Sequence, residues 1–373
     1  MTPRTSLNHF PLLTRFNEAF LMTDSNSSST SHLRPLPPSA QALLNVKVRH
    51  PRIAQLMTDL STLVYPGSQD SLLLVCGPTG VGKSTLAHYV VEKSLQMNDK
   101  QMSANAGLIP AVYVEAPSSG ENEFSWRLFY SRILSQLDLD IASQLPRANF
   151  GIDTATGRMV RPRSSSGQSL ASLRTAVERA LEARGTKLLV IDEAAHIIRQ
   201  SSPRRLEIQL DTLKSLSNAC GAQILLIGAY DLYQLMSLSG QLSRRTHVLH
   251  FERYRQDRDE DKWAFATCVQ QFQDTLPHLW SNKLFPHAAA LQDNTVGCIG
   301  TLSAVLMRTA RLLEENHKEG QVVDALRRSL LTDAQHKSIL SETLDGELAI
   351  NPGLLRTLPK AARESVTKGR KVA

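Results

Sequence analysis

Residues 72–84 read LLLVCGPTGVGKS, and this stretch decides the fold. It opens with an apolar run of the kind found in strands that are buried in a parallel sheet. The remainder fits the pattern GxxxxGK[ST], in which glycines let the backbone bend with its N–H groups facing phosphate oxygens. A helix is predicted from about Lys83, and its positive N-terminal end adds to the attraction for anions. The succession of strand, loop and helix predicts a phosphate-binding loop; the alternative is an ordinary glycine-rich turn.

The predicted loop gives a role to the polar side chains around it. Lys83 is expected to contact the β- and γ-phosphates of a nucleoside triphosphate, and the hydroxyl of Ser84 is expected to ligate Mg²⁺. The predicted nucleotide contacts are consecutive in the chain: Gly77, Pro78, Thr79, Gly80, Val81, Gly82, Lys83, Ser84 and Thr85.

A second apolar run, at residues 187–191, ends on the acidic pair Asp192 and Glu193. In a parallel sheet, ligands bind beyond the carboxyl ends of the strands, which is where this pair falls. Asp192 is expected to hold Mg²⁺ through water, and Glu193 to orient and deprotonate an attacking water. Adjacent acids of this kind are typical of ATPases that hydrolyse ATP for mechanical or assembly purposes, so ATP and Mg²⁺ are the predicted cofactors. The alternative is that Asp192 only caps the helix predicted at 194–198.

A third apolar run, at 223–228, is followed by AYDL at 229–232 and by QLSRR at 241–245. A phosphate-binding loop, a VIDE strand, an LIGxxDL segment and QLxRR, in that order, resemble the AAA+ ATPases of transposition, the TnsC/TniB group related to the Mu B protein. The resemblance extends upstream to RHPR at 49–52 and downstream to GCIGTL at 297–302, and it covers about residues 45–315. The loop and the acidic pair are common to all AAA+ proteins, whereas QLxRR and GxxGxL are what favour the transposition group.

The resemblance implies an α/β fold, a P-loop AAA+ ATPase with a central parallel sheet and a small C-terminal helical lid. It implies an ATP-dependent regulator of DNA transposition that assembles on duplex target DNA as a homo-oligomeric ring or helical filament. Such a regulator links a target-selection protein to the transposase. It also implies that Arg244 or Arg245 reaches the nucleotide of a neighbouring subunit as an arginine finger. Without the resemblance, this basic pair would be interpreted as a solvated cap of a helix C-terminus.

Two positions depart from the AAA+ pattern. Ala229 stands where a polar sensor residue is usual, with Tyr230 and Asp231 as substitutes that the sequence does not choose between. Thr301 stands near the position of the second-sensor arginine, which leaves Arg308 as a candidate one and a half turns further on. These departures predict slow, regulatory hydrolysis.

Two other functions compete with transposition. The first is an AAA+ protein of the initiator or helicase-loader type, which should carry a winged-helix module after the lid. The second is a nucleotide-gated scaffold with vestigial hydrolysis, which the missing sensor residues favour.

Two basic regions are candidates for DNA contact. Ser118, Ser119, Arg127 and Arg132 follow the strand predicted at 111–114, a region that faces the DNA-filled central channel in the resembling proteins. The segment 147–167 is long for this fold and rich in arginine, and it contributes Arg158, Arg161 and Arg163. The alternative for this second region is a solvated loop.

The net charge of +7 fits a nucleic-acid partner. The aromatic content of 5% offers no stacking platform for single strands. Contact with the phosphate backbone of duplex DNA, independent of sequence, is therefore expected.

Composition and chain breaks give the organisation. With 42% hydrophobic and 21% charged residues, and with no apolar stretch near the roughly 18 residues that span a bilayer, the chain is expected to be cytoplasmic and without a membrane partner. The first 24 residues are too polar for a signal peptide.

We predict an arm and Ser/Pro-rich linker at 1–45, the α/β ATPase domain at 46–254, the helical lid at 255–345 and a basic flexible tail at 346–373. The resemblance implies that this tail meets the transposase; the alternative is a solubilising tail or an incidental DNA anchor. The four cysteines lack the spacing of a zinc site and are expected to be free thiols.

Overall fold

A five-stranded parallel sheet forms the centre of the molecule. The computed structural model describes residues 37–44, 46, 48, 50–64, 72–118, 123–137, 151–152, 159–160, 169–198, 203–237, 246–316 and 321–350. The sheet strands are β1 (Leu72–Cys76), β2 (Ala111–Glu115), β5 (Leu188–Asp192), β6 (Gln223–Gly228) and β7 (Thr246–His250), in the order β2-β5-β6-β1-β7. Strands β3 (Gly151–Ile152) and β4 (Met159–Val160) form a separate antiparallel pair within the arginine-rich segment 147–167, called the insertion below.

Helices cover both faces of the sheet. The helices of this part of the chain are α1 (Pro38–Leu44), α2 (Pro51–Leu63), α3 (Lys83–Met97), α4 (Asp99–Ala104), α5 (Trp126–Gln136), α6 (Leu170–Ala183) and α7 (Pro203–Cys220). Strands β1, β5 and β6 are buried along their whole length, as their continuous apolar runs predict. Helices α5, α6 and α7 pack on one face of the sheet, and α2 and α3 pack on the other.

A second group of helices follows β7 and has its own apolar core. These are α8 (Asp259–Thr275), α9 (Pro277–Trp280), α10 (Ala288–Asn294), α11 (Ile299–Asn316), α12 (Val322–Ser329) and α13 (Asp333–Ile350). Short 3₁₀ turns occur at Ala194–Ile197, Tyr230–Ser237 and Phe285–His287. Buried side chains of α8, α10, α11 and α12 form the core of this group. The predicted fold class, a parallel P-loop α/β sheet followed by a helical region, is confirmed.

The structure differs from the sequence-based organisation at two segments. The predicted linker ends in helix α1, because Ala40 and Leu43 are apolar and bury themselves against α11. Helix α13 continues to Ile350, past the predicted start of the flexible tail at 346, because its polar face is held by partners distant in sequence. Residues 351–373 lie outside the described residues, and the domain limits stay predictions.

Within the described residues, no single helix is both long and apolar enough to cross a membrane. The consecutive segments Phe285–Asn294 and Ile299–Glu314 together have the length and apolar composition of a membrane span. The chain bends by 118° between them.

Candidate nucleotide-binding site

The loop after β1 is held by hydrogen bonds to the side chain of Lys83. Lys83 is the first residue of α3 and only 9% exposed, and its Nζ donates hydrogen bonds to the carbonyl oxygens of Gly77 (3.1 Å) and Pro78 (2.8 Å). Burial lowers the pKa of Lys83, while the negative charges of nearby Glu193 and Asp192 oppose that shift. The loop therefore holds a nearly buried cation at the carboxyl end of β1.

Two long-range contacts fix the shape of the loop. A Cβ at Gly77 would lie 2.6 Å from the carbonyl oxygen of Phe251, which follows β7. Gly80 has a φ of +78°, and a Cβ there would collide with the hydroxyl of Thr301 in α11. The backbone N–H of Thr301 also donates to the carbonyl oxygen of Gly80 at 3.1 Å. The start of α11 thus rests directly on the phosphate-binding loop.

The acidic pair lies at the carboxyl end of β5, two strands away from β1 in the sheet. Asp192 is 2% exposed, and its carboxylate accepts hydrogen bonds from the hydroxyl of Tyr113 (3.2 Å) and from the backbone N–H of Glu193 (2.8 Å). Burial and the charge of Asp192 raise the pKa of Tyr113, so this phenol stays protonated and donates. The carboxylate of Asp192 therefore has a fixed orientation.

Glu193 adopts a left-handed backbone conformation, with φ of 49°. Such a conformation is uncommon for a residue other than glycine and is concentrated at functional sites. It takes the chain from β5 directly into the 3₁₀ turn at Ala194–Ile197.

The predicted metal ligands are compatible with Mg²⁺. Ser84 is exposed at the start of α3 and offers a hydroxyl oxygen. Asp192 offers a carboxylate on which each oxygen accepts one of the two hydrogen bonds described above, which leaves lone pairs free for water. Oxygen ligands are those that Mg²⁺ prefers, often through retained waters.

The candidate sensor positions have specific surroundings. Ala229 follows β6 and is buried without a polar group. The hydroxyl of Tyr230 lies 3.0 Å from Nε2 of His250, so this side chain is engaged with the end of β7. Thr301 contacts the loop through its backbone, whereas the side chain of Arg308 is exposed on α11.

The segment at 49–52 joins helix α2 to the site and to the helical group. His50 stacks on the ring of Phe251, with ring centroids 6.1 Å apart, and its Nδ1 lies 3.0 Å from the hydroxyl of Tyr254. Arg52 forms a two-point ion pair with the buried Asp261 of α8 at 2.9 and 3.1 Å. Burial, and secondarily the charge of Arg52, lower the pKa of His50 to about 4.

Helix α13 brings acidic residues to the site that sequence analysis missed. The hydroxyl of Thr79 donates a long hydrogen bond of 3.4 Å to Glu342. Glu347 forms an ion pair with Arg253, with N–O distances of 2.8 and 3.3 Å. No local pattern identifies these partners, since Glu342 and Thr79 are 263 residues apart in the chain.

The DNA-contact candidates are only partly within the described residues. Ser118 and Arg127 are exposed. Arg132 lies on α5 and donates to the carbonyl oxygen of Glu115 at 2.8 Å, beside the end of β2. The remaining candidates lie outside the described residues, as does the predicted finger pair: Ser119, Arg158, Arg161, Arg163, Arg244 and Arg245.

A phosphate-binding loop after β1 of a parallel sheet, at the same edge as an acidic pair after β5, defines a P-loop protein of the AAA+ fold. Residues 67–236 match the family described as AAA domain. Among curated proteins, none matches this sequence significantly.

Several solved structures resemble this chain at low identity. The ORC2 protein of Aeropyrum pernix, solved as ADPNP–ADP complexes, is 16% identical with a TM-score of 0.46, and the match covers 82% of this chain and 70% of that one. A Walker-type ATPase of Pyrococcus abyssi is 13% identical with a TM-score of 0.46, covering 84% and 78%. Domain III of the replication initiation protein DnaA from Thermotoga maritima is 14% identical with a TM-score of 0.43, covering 79% and 97%. At these scores, the likenesses do not define the function of this chain.

Proposed function

We propose that this protein is an ATP-dependent, DNA-binding AAA+ regulator of transposition that assembles on duplex DNA and links a target-selection protein to a transposase. The observation that carries the ATPase part is the buried Lys83 in its loop beside Asp192 and Glu193 at the same edge of the sheet. The transposition part rests on the order of motifs in the sequence, above all QLSRR at 241–245 and GCIGTL at 297–302.

In this proposal, ATP binds along the loop from Gly77 to Thr85. Lys83 exchanges its two carbonyl partners for phosphate oxygens. Ser84 and Asp192 would hold Mg²⁺, which would supply positive charge opposite the phosphates. Tyr113 and the Glu193 N–H hold Asp192 in place for that task.

Glu193 acts as the base that orients the attacking water. Its left-handed backbone turns the chain at the point where the strand ends. Since Ala229 offers no polar group and the side chain of Arg308 is exposed, hydrolysis is slow and serves to end the DNA-bound state. Arg244 or Arg245 completes the site of the next subunit, so ATP hydrolysis depends on assembly.

An initiator or helicase-loader function is the main competitor. It predicts a winged-helix module after the lid, and such modules contain strands. Within the described residues, α11 is followed by helices α12 and α13 and by no strand. The described fold fits either type of AAA+ protein, and the motifs QLSRR and GCIGTL are what favour the transposition regulator.

The nucleotide-gated scaffold is the second competitor, and it is favoured by Ala229, which is buried and carries no polar group where a sensor residue is usual. It differs from the regulator in one measurable property. A scaffold should hydrolyse ATP no faster with duplex DNA than without it, whereas the regulator should be stimulated by DNA, because assembly completes its sites.

Electron microscopy of the full chain with random-sequence duplex DNA and a slowly hydrolysed ATP analogue tests the proposal. Rings or helical filaments around DNA of any sequence are expected with the analogue, and free subunits with ADP. Assembly confined to one particular DNA sequence would favour the initiator type. No assembly on any duplex, with the nucleotide bound, would overturn the regulator.

A further inference from the structure

Helix α13 lies across the carboxyl edge of the sheet, where the nucleotide site opens. Glu342 is within hydrogen-bond distance of Thr79 in the loop, at 3.4 Å. One turn further on, Gly346 packs so closely on the ring of Tyr230 that a Cβ would collide with it. The next residue, Glu347, holds Arg253. One face of the helix therefore contacts the loop, the turn after β6 and the segment after β7.

The docked face of α13 is mostly polar, and Ile350 at its end adds an apolar contact with the core on one face of the sheet. Its buried members are Thr343, Gly346 and Glu347, while Leu344 is exposed. The ion pair of Glu347 with Arg253 is nearly buried, with side-chain exposures of 5% and 13%. A contact that depends on charge is more easily reversed by a new charge than one that depends on apolar burial.

A bound nucleoside triphosphate brings such a charge. The phosphate-binding loop gathers negative phosphates around Lys83, and the charge of Glu342 acts on this same lysine. A carboxylate at the mouth of the loop and phosphates within it repel each other, and the repulsion increases with the number of phosphates. Docking of α13 brings Glu342 towards Lys83, and a bound triphosphate brings its phosphates to the same lysine. Each event therefore disfavours the other.

We propose that α13 is an autoinhibitory helix, which contacts the phosphate-binding loop through Glu342 and is released when a nucleoside triphosphate binds. By linkage, releasing the helix must strengthen nucleotide binding as much as the nucleotide weakens docking. The release uncovers Tyr230 and Arg253. We expect the uncovered edge to bind a second copy of the chain, and this expectation rests on the proposed function. The competition between α13 and the nucleotide does not depend on the proposed function.

Amide hydrogen exchange of the full chain without DNA tests the competition directly. Exchange in residues 333–350 should become faster when a slowly hydrolysed ATP analogue with Mg²⁺ is added, and less so with ADP. Unchanged or slower exchange with the analogue would overturn the proposal, and slower exchange would identify α13 as a lid that closes on the nucleotide.

Variants on the two faces of α13 provide the matched comparison. Glu342→Gln removes the charge that faces the loop, whereas Asp345→Asn removes one from the exposed side of the same helix. Gly346→Leu should displace the helix from Tyr230, whereas Ala349→Leu places the same side chain on the exposed side. Glu342→Gln and Gly346→Leu should each bind the ATP analogue about 5-fold more tightly than the parent chain. The controls Asp345→Asn and Ala349→Leu should bind it with the affinity of the parent chain.

Equal affinities for all five proteins would overturn the inference and leave the proposed function standing. If Gly346→Leu fails to fold, Glu342→Gln remains informative, because it changes an exposed side chain only in charge. Competition retained in a protein that never assembles on DNA would overturn the proposed function and leave the inference standing. Failure of the parent chain and of every variant to bind the analogue would overturn both.

Discussion

The hydroxyl of Tyr113 donates a 3.2 Å hydrogen bond to Oδ2 of Asp192, from one strand of the sheet to the next. Strands β2 and β5 pair in parallel, with Tyr113 opposite Val190 and Glu115 opposite Asp192. Side chains two residues apart on a strand share a face of the sheet, so the phenol reaches along β5 to the carboxylate. Strand β2, which was predicted only as a structural element, thereby orients the carboxylate of Asp192, a candidate site residue.

Tyr113→Phe is therefore expected to reduce ATP hydrolysis about 10-fold in kcat, with a smaller change in KM, because Asp192 loses one of its two orienting donors. The free energy of unfolding should fall by only about 1 kcal/mol, the usual contribution of one hydrogen bond. Steady-state kinetics and thermal unfolding check both values. Tyr89→Phe, at an exposed tyrosine of α3, is the matched control; a loss of the same size in that control would contradict the role of Tyr113.

Lys83→Ala and Glu193→Gln should have opposite effects on DNA-bound assembly. Lys83 contacts phosphates in the ground state, so its loss should abolish nucleotide-dependent assembly. Glu193 acts mainly on the attacking water, so the glutamine variant should assemble and persist. Sedimentation with duplex DNA and ATP over time distinguishes them, and equal loss of assembly in both variants is incompatible with these roles.

Alanine variants of Arg244 and Arg245 test the shared site between subunits. The variant that lacks the true finger should hydrolyse ATP poorly alone and regain activity when mixed with Lys83→Ala subunits, since each supplies what the other lacks at some interfaces. A mixture of Lys83→Ala with Glu193→Gln is the control, because both changes lie within the subunit's own site and should not complement. Absence of recovery at every ratio, with mixed assembly demonstrated, would count against the finger.

The salt dependence of DNA binding locates the contact. Each phosphate contact contributes about 0.9 to the slope of log K against log salt, so neutralising Arg158, Arg161 and Arg163 should reduce the slope by up to about three if the insertion touches DNA. Neutralising Arg127 and Arg132 tests the region after β2, where Arg132 already has a carbonyl partner. A reduced slope in only one variant assigns the contact. No change in either, with nucleotide binding intact, would exclude both candidates.

The stability of the fold should depend on pH through His50. Its pKa is about 4 in the folded protein against 6.5 for the free side chain, so the unfolded chain binds more protons between these values. Stability should therefore be fully present above pH 6.5 and fall as the pH drops through this window, by up to about 3 kcal/mol. Denaturant unfolding at a series of pH values measures the change.

His50→Asn should flatten that dependence. Asparagine does not titrate, and it is favoured at the N-cap, the position that His50 occupies before α2. His278→Asn, at an exposed histidine, should leave the dependence as in the parent chain. A pH dependence that survives in His50→Asn would assign the effect to other groups.

Much of the fold follows from local patterns in the sequence. The strand at 223–228 and the start of α3 at Lys83 were predicted at the positions where the structure has them, since a buried strand or a helix start is encoded by adjacent residues. Helix α7 was missed, although Leu206, Leu210 and Leu213 recur at helical spacing and are buried.

Helix α13 is a different case, because no periodic pattern marks its docked face. Apolar periodicity predicts which face of a helix packs only when the packing is apolar. Here the docked face is formed by Glu342, Thr343, Gly346 and Glu347, so its identity depends on Thr79, Tyr230 and Arg253, far away in the chain.

The sequence by itself determined the phosphate-binding loop, the acidic pair and the strands that carry them, because each depends on residues that are neighbours along the chain. Only the tertiary structure decided that Thr301 rests on Gly80, that Tyr113 orients Asp192, and that α13 contacts the phosphate-binding loop. These contacts join residues separated by 79 positions in the case of Tyr113 and by 263 in the case of Thr79. They form when the chain folds back on itself, and such pairings leave no signal in any local stretch of sequence.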